Sequence, residues 1–223
     1  MGRRNRNVAL AVVVAAATIG MGVSACPSPR REDAPRVGEA ELTGAVAPSW
    51  QSTTMGWPEG ARAAAKEMTD RYGPPDETTP SQLVWLRKGP WKRSVVSREE
   101  VKHAWPSEHV DVLEQGIDLR VPTDRFDDLA AFDGSVMAER TKGELSARCG
   151  GEAANFLAIN LARDVVLGNR TVADARRVYE AQMKAFKAGD RNQELMTGLR
   201  FAPPVGGTGD PDTPRSERCE VRR

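Results

Sequence analysis

Two strand–turn–strand patterns constrain this chain more than any other feature. Leu83–Leu86 and Trp91–Val96 are short β-prone runs separated by Arg87-Lys88-Gly89-Pro90. Ser135–Arg140 and Glu144–Cys149 flank Thr141-Lys142-Gly143 in the same way. Gly143 supplies the positive φ that such a tight turn needs. Strands joined this closely pair antiparallel, because parallel neighbours need a crossover, usually helical. Ile117, Leu119 and Val121 alternate with polar residues and predict a further strand.

Helical signals surround these hairpins. One helix is expected from near Pro58 to Tyr72, with Gly73-Pro74-Pro75 as its stop. Ser97-Arg98-Glu99-Glu100 is a capping-box pattern and predicts a short helix that ends before Pro106. Thr123 suits the N-cap of a helix to Phe132, with Phe126, Leu129 and Ala130 facing inward. Two longer helices follow. Glu152–Leu167 stops at Gly168, and Thr171–Lys187 opens on Thr171-x-x-Asp174 and stops at Gly189. In the second, Val172, Ala175, Tyr179, Met183 and Phe186 recur at helical spacing. Hairpins without regular crossover helices favour α+β over α/β: an antiparallel sheet of about five strands with helices packed on one face.

The flanks of this domain read differently. Arg3, Arg4 and Arg6 precede an apolar run from Val8 to about Met21, and Val23-Ser24-Ala25-Cys26 closes it. The run is shorter than the ~20 residues that span a bilayer, and its charged start and small exit residues are those of a secretory leader. Val23-Ser24-Ala25-Cys26 resembles the lipobox of bacterial lipoproteins, with Val23 in place of the commoner Leu. That resemblance implies export, removal of residues 1–25, lipidation of Cys26 and attachment to a bacterial membrane by acyl chains such as palmitate. Pro27 follows the cysteine, not the Asp that retains many such proteins at an inner membrane. The outer membrane is therefore expected where two are present. Residues 26–49 read as a flexible Pro-containing tether, 50–201 as a single domain, and 202–223 as a disordered Pro/Gly-rich tail.

Charge and cysteine content narrow the function classes. Of 32 basic residues three lie in the leader, so the remainder carries 29 bases against 31 acids. That balance gives no support for a nucleic-acid partner. With Cys26 lipidated, Cys149 and Cys219 remain as a candidate disulfide, and unpaired thiols are the alternative. No C-x-x-C spacing is present.

A further likeness rests on longer stretches. These are Trp85-Leu86-Arg87-Lys88-Gly89-Pro90-Trp91-Lys92-Arg93, Asp111-Val112-Leu113-Glu114-Gln115, Phe132-Asp133-Gly134-Ser135-Val136 and Glu139 through Cys149. Together they resemble a family of uncharacterised bacterial exported proteins over roughly residues 60–201. The resemblance implies a defined fold and carries no catalytic residues across.

Candidate chemistry is sparse. Trp85, Trp91 and Trp105, with Arg87 beside the first two, form a candidate ligand platform for glycan or a protein partner, since indole faces stack on sugars and hold cations. Packing of Trp85 and Trp91 on the sheet is the competing expectation. His103 and His109 lie among Glu99, Glu100, Glu108 and Asp111. On a helix, a separation of six points two rings to different faces, so no metal site and no cofactor are expected. Glu139 and Glu144 flank a hairpin turn among Arg140 and Lys142, a pattern of exposed ion pairing. Asp124, Asp127 and Asp128 suit a helix N-terminus. No G-x-S-x-G, Walker A or dinucleotide pattern occurs. The expectation is a lipid-anchored envelope protein with a non-catalytic binding or assembly domain. The alternative is an envelope hydrolase of cell-wall or glycan substrates that uses His103 or His109 with a carboxylate.

Overall fold

The computed structural model describes residues 49–212, so the leader, Cys26, nearly all of the tether and Cys219 lie outside the described residues. Helix α1 (Trp50–Thr54) leads into α2 (Glu59–Tyr72), which Gly73 ends at φ 80°. Strands β1 (Glu77–Thr78), β2 (Gln82–Leu86), β3 (Arg93–His103) and β4 (His109–Asp118) follow. A 3-10 turn at Thr123–Arg125 and α3 (Phe126–Phe132) connect β4 to β5 (Val136–Glu139) and β6 (Glu144–Cys149). The long helices α4 (Glu152–Val166) and α5 (Val172–Lys187) complete the layer above the sheet. The six strands are antiparallel in the order β1-β2-β3-β4-β6-β5. The fold is α+β, as the hairpins predict, with the two-residue β1 added to the expected five strands and with the strand expected over Ile117, Leu119 and Val121 lying earlier, as β4, so that Leu119 and Val121 fall beyond its end.

Register decides which face carries the core. Trp85 pairs with Ser94, Ser94 with Gln115 and Gln115 with Ala147, so these four point to one side. Leu83, Val96, Leu113 and Cys149 form a second row on that side. Helix α2 lays Ala61, Ala64, Ala65 and Met68, spaced as one helical stripe, on Leu83, Trp85, Val96 and Leu113. Helix α4 puts Phe156, Leu157 and Leu161 on Ile117, Leu145 and Ala147. It is buried almost all round, because α5 and α3 pack on its outer side. Thr171 caps α5 as its spacing predicts, its Oγ1 accepting the Asp174 amide at 3.1 Å.

Two expectations are corrected. The Ser97-Arg98-Glu99-Glu100 stretch is not the start of a helix. Strand β3 runs on through His103, with a bulge between Val96 and Val101, and pairs with β4 to its tip. Ladder pairing to β4 outweighs the local capping signal. The tail does not leave the domain at Ala202 either. Arg120 Nε donates to the Thr208 carbonyl at 3.0 Å, its Nη2 donates to the Gly209 carbonyl at 2.6 Å, and the Asp210 amide donates to the Thr141 carbonyl at 3.0 Å. This strap crosses so close to the β5–β6 turn that a Cβ on Gly143 would lie 1.9 Å from the Thr208 oxygen. Gly143 is thus required twice, for its φ of 64° and for this contact.

Candidate functional site

The β3–β4 hairpin ends in the loop Ala104–Glu108, and directly below that loop His103 pairs with His109 across the ladder. Directly paired strand residues share a face, and so do residues two apart. His103, His109 and Asp111 therefore converge on the helix-covered side of the sheet, beyond the last apolar row. The helical geometry expected for the two histidines does not hold. On paired strands a separation of six brings their ring centroids to 4.8 Å. Among the described residues these three side chains form a donor group, with all ligand atoms within 4.8 Å of one another.

Asp111 sits at the centre and is 1% exposed, while each imidazole is 20% exposed. Its Oδ2 accepts the Ser135 hydroxyl at 2.5 Å and lies 3.3 Å from His103 Nδ1. Its Oδ1 lies 3.0 Å from His109 Nε2 yet has no hydrogen-bond partner. His109 Nδ1 is 2.8 Å from the Ser107 carbonyl, an acceptor only, so Nδ1 carries a proton and Nε2 is the nitrogen turned to the site. Cys149, at the end of β6, brings its Sγ to 3.5 Å from the same Nε2. Asp133 stands behind His103, 4.0 Å from Nε2, and accepts the Ser135 amide at 2.8 Å.

The electrostatics follow from this packing. The Asp111 carboxylate, with Cys149 second, pushes the His109 imidazole up to about 10 against the opposing effect of burial. Burial works against ionisation of Asp111, but His109, Ser135 and His103 outweigh it and hold the carboxyl below its usual range. Burial raises Asp133, and it raises the Tyr179 phenol strongly, where the neighbouring Cys149 adds to the effect.

Helix α5 holds the loop that carries the histidines. Trp105 stacks on Tyr179 with ring centroids 4.7 Å apart, the Arg176 guanidinium lies 3.9 Å from its ring centre, and its Nε1 donates to Glu180 at 2.8 Å. Beside the loop a cleft of about 260 Å³ opens between the hairpin tip and α5. His109 and Cys149 face it, with Pro106, Ala154, Met183 and Phe186 as apolar walls.

The tryptophan platform is corrected by burial. Trp85 is 0% and Trp91 2% exposed. Trp85 donates to the Gly73 carbonyl at 2.9 Å, and Trp91 stacks on Phe156 at 4.9 Å. Both are core, as the competing expectation had it, because strand alternation turns them under α2 and α4. Arg87 is exposed in the β2–β3 turn at φ 52°. Only Trp105 of that group belongs to the site. Sequence reasoning weighed Cys149 as a candidate disulfide partner of Cys219, which lies outside the described residues, against an unpaired thiol, and gave Ser135 no role. The one signal available was the period-two run His109-Val110-Asp111-Val112, which puts His109 and Asp111 on one face of a strand.

No protein family, no curated protein and no solved structure matches this chain. Its function is therefore read from the chemistry of the site.

Proposed function

We propose that the domain binds a divalent transition-metal ion through His103, His109 and Asp111, and that it does so as a lipid-anchored protein of the bacterial cell envelope. The observation that carries the metal reading is Asp111 Oδ1. A buried carboxylate oxygen without a hydrogen bond costs free energy unless a cation takes it up. Five buried side-chain polar atoms among the described residues lack a hydrogen-bond partner, and two of them belong to carboxylates. The other, Glu152 Oε2, faces the Arg71 guanidinium at 2.6 Å. Asp111 Oδ1 faces the ring nitrogen of His109 at 3.0 Å, an ion pair while that imidazole is protonated and a shared ligand pair once a metal ion displaces the proton.

The second support is the arrangement behind the imidazole. A ligating histidine usually gives its remaining N–H to a backbone carbonyl or carboxylate, which fixes its tautomer and ring plane. His109 Nδ1 meets the Ser107 carbonyl in that way. Two imidazoles and one carboxylate suit first-row transition metals and leave coordination positions open.

The arrangement favours ion binding over acyl transfer. In a cysteine–histidine–carboxylate relay the thiol and the carboxylate sit on opposite ring nitrogens. Here Cys149 and Asp111 both face Nε2, and the Ser135 hydroxyl lies 2.5 Å from Asp111 and 3.3 Å from His103. A serine whose proton goes to a buried carboxylate is not activated by an imidazole. The envelope location rests on the Val23-Ser24-Ala25-Cys26 stretch. No described helix is long and apolar enough to cross a membrane.

Calorimetric titration with Zn²⁺ tests the metal reading. One ion per chain is expected, with affinity lowered 100-fold or more in Asp111→Asn and to a similar degree in His109→Ala. Undiminished Zn²⁺ binding by folded Asp111→Asn protein overturns it. Cys26→Ala should separately abolish palmitate labelling of the expressed chain.

A further inference from the structure

His109 Nε2 has two neighbours, and a single proton serves one of them. Asp111 Oδ1 is 3.0 Å away and unpartnered, and Cys149 Sγ is 3.5 Å away on the other side chain that borders this nitrogen. An ion bound at Nε2 would serve both. Zinc–nitrogen and zinc–oxygen bonds of about 2.0–2.1 Å and a zinc–sulfur bond of about 2.3 Å, at tetrahedral angles, separate N from O by about 3.3 Å and N from S by about 3.5 Å. The two separations measured from His109 Nε2 are close to those edges before any ion is added, while Cys149 stands outside the 4.8 Å group that the other three donors form.

The surroundings of the thiol point the same way. Cys149 pairs with Leu113 in the β4–β6 ladder, which fixes its side chain on the same face as His109 and Asp111. It is 5% exposed, yet it borders the cleft beside α5, so an ion can reach it without opening the core.

We propose that Cys149 is the fourth protein donor of this centre, so that the ion held by His103, His109, Asp111 and Cys149 is a thiophilic cation of the zinc class. The inference rests on the metal-binding reading above and extends it to the identity of the ion. Thiolate and imidazole donors select zinc-like ions over Mg²⁺, Ca²⁺ and Mn²⁺, which prefer oxygen. Four protein donors also fill a tetrahedral shell and leave no position for a reacting water, the pattern of sites that hold metal and do not activate it.

Co²⁺ serves as the optical probe for the test. The full chain titrated with Co²⁺ should show tetrahedral ligand-field bands together with a sulfur-to-cobalt charge-transfer band. Cys149→Ser should bind Co²⁺ at least tenfold more weakly and lose the charge-transfer band, while Cys219→Ser keeps it. A measurement on the unaltered chain guards against a misfolded variant: Zn²⁺ should slow iodoacetamide alkylation of the Cys149 peptide tenfold or more, and Mg²⁺ should not. Co²⁺ binding with no charge-transfer band and an unprotected Cys149 overturns the thiolate inference and leaves the three-donor site standing. Absence of both Co²⁺ and Zn²⁺ binding overturns the two together.

Discussion

Two buried carboxylates lie on the same face of the same sheet, Glu152 under the helices and Asp111 at the hairpin tip, and their surroundings differ in kind. Glu152 is 0% exposed and fully engaged. Its Oε1 accepts the Trp91 indole N–H at 2.5 Å, the Tyr72 hydroxyl at 2.7 Å and the Gln115 amide at 3.2 Å, and its Oε2 meets Arg71 at 2.6 Å. Gln115 passes the network on, accepting from Asn155 at 3.0 Å and donating to Ser94 at 3.0 Å. One acidic side chain thereby ties α2, β3, β4 and α4 together, with an Arg71 cation to balance it. Asp111 is as deeply placed and has no guanidinium or ammonium group beside it, only imidazoles, a hydroxyl and an open oxygen. A buried polar group fixed from every side belongs to the architecture. One left partly open, next to a cleft, is a site waiting for a ligand.

The comparison breaks most sharply under deletion. Glu152→Ala leaves the Trp91 N–H, the Tyr72 hydroxyl, the Gln115 amide and the Arg71 charge without their partner. Removing one member of a buried charged network costs about 3–5 kcal/mol, and urea unfolding should register a loss of that size. Asp111→Asn keeps the shape and an acceptor for the Ser135 hydroxyl but loses the charge that faces the imidazoles, and should cost on the order of 1–2 kcal/mol, less than Glu152→Ala. Equal losses in the two variants would mean that both are structural and that the distinction drawn here is false.

A smaller effect separates holding the ion from holding the fold. Ser135 touches Asp111 Oδ2 at 2.5 Å and His103 Nδ1 at 3.3 Å without being a donor itself. Its hydroxyl orients the carboxylate, and loss of such a partner lowers metal affinity roughly 10–100-fold. Ser135→Ala should weaken Zn²⁺ binding within that range while its unfolding midpoint in the absence of metal stays near that of the unaltered chain. A variant that unfolds early and binds Zn²⁺ normally would return Ser135 to the architecture.

These regions were unequally legible in the sequence. The layer that contains Glu152 follows from local signals: the stripe in α2, the Thr171 cap, the Gly143 turn and the strand alternation around Trp85. Such signals act within a few residues and are carried by single side chains. The hairpin tip was hidden for the opposite reason. Ser97-Arg98-Glu99-Glu100 has a strong local preference for a helix start, and only pairing with β4, Val101 with Asp111, Lys102 with Val110 and His103 with His109, extends β3 to His103. Once that ladder forms, the six-residue separation of His103 and His109 becomes direct opposition. Asp111, Ser135 and Cys149 reach the same point from β4, the start of β5 and the end of β6. No spacing in one segment announces a site assembled across four strands. The tryptophans erred in the other direction. Clustering in sequence suggested a surface, but period-two alternation sent Trp85 and Trp91 to the core and left Trp105 to clamp the histidine loop.

The smallest expected effect concerns a third carboxylate, Asp118, which lies between the two extremes. It is largely buried and has a full cation, Lys92 Nζ at 2.7 Å, which also meets Glu144 at 2.7 Å. It further accepts the Gly206 amide of the strap at 3.2 Å. Burial pushes its carboxyl up, but Lys92 and the Gly206 amide outweigh that and hold it below the usual range. The unfolded chain therefore binds more protons at acid pH than the folded one. The stabilisation from this pair is complete above the unfolded carboxyl range, near pH 4, and fades as pH falls through the lower folded value. Asp118→Asn should cost on the order of 1 kcal/mol in urea unfolding at pH 7, and the deficit should shrink as the pH is lowered towards 3. A deficit that stays constant from pH 7 to pH 3 would show that shape and the strap contact, not the lysine, are what Asp118 contributes. It would then stand with neither the engaged acid nor the open one.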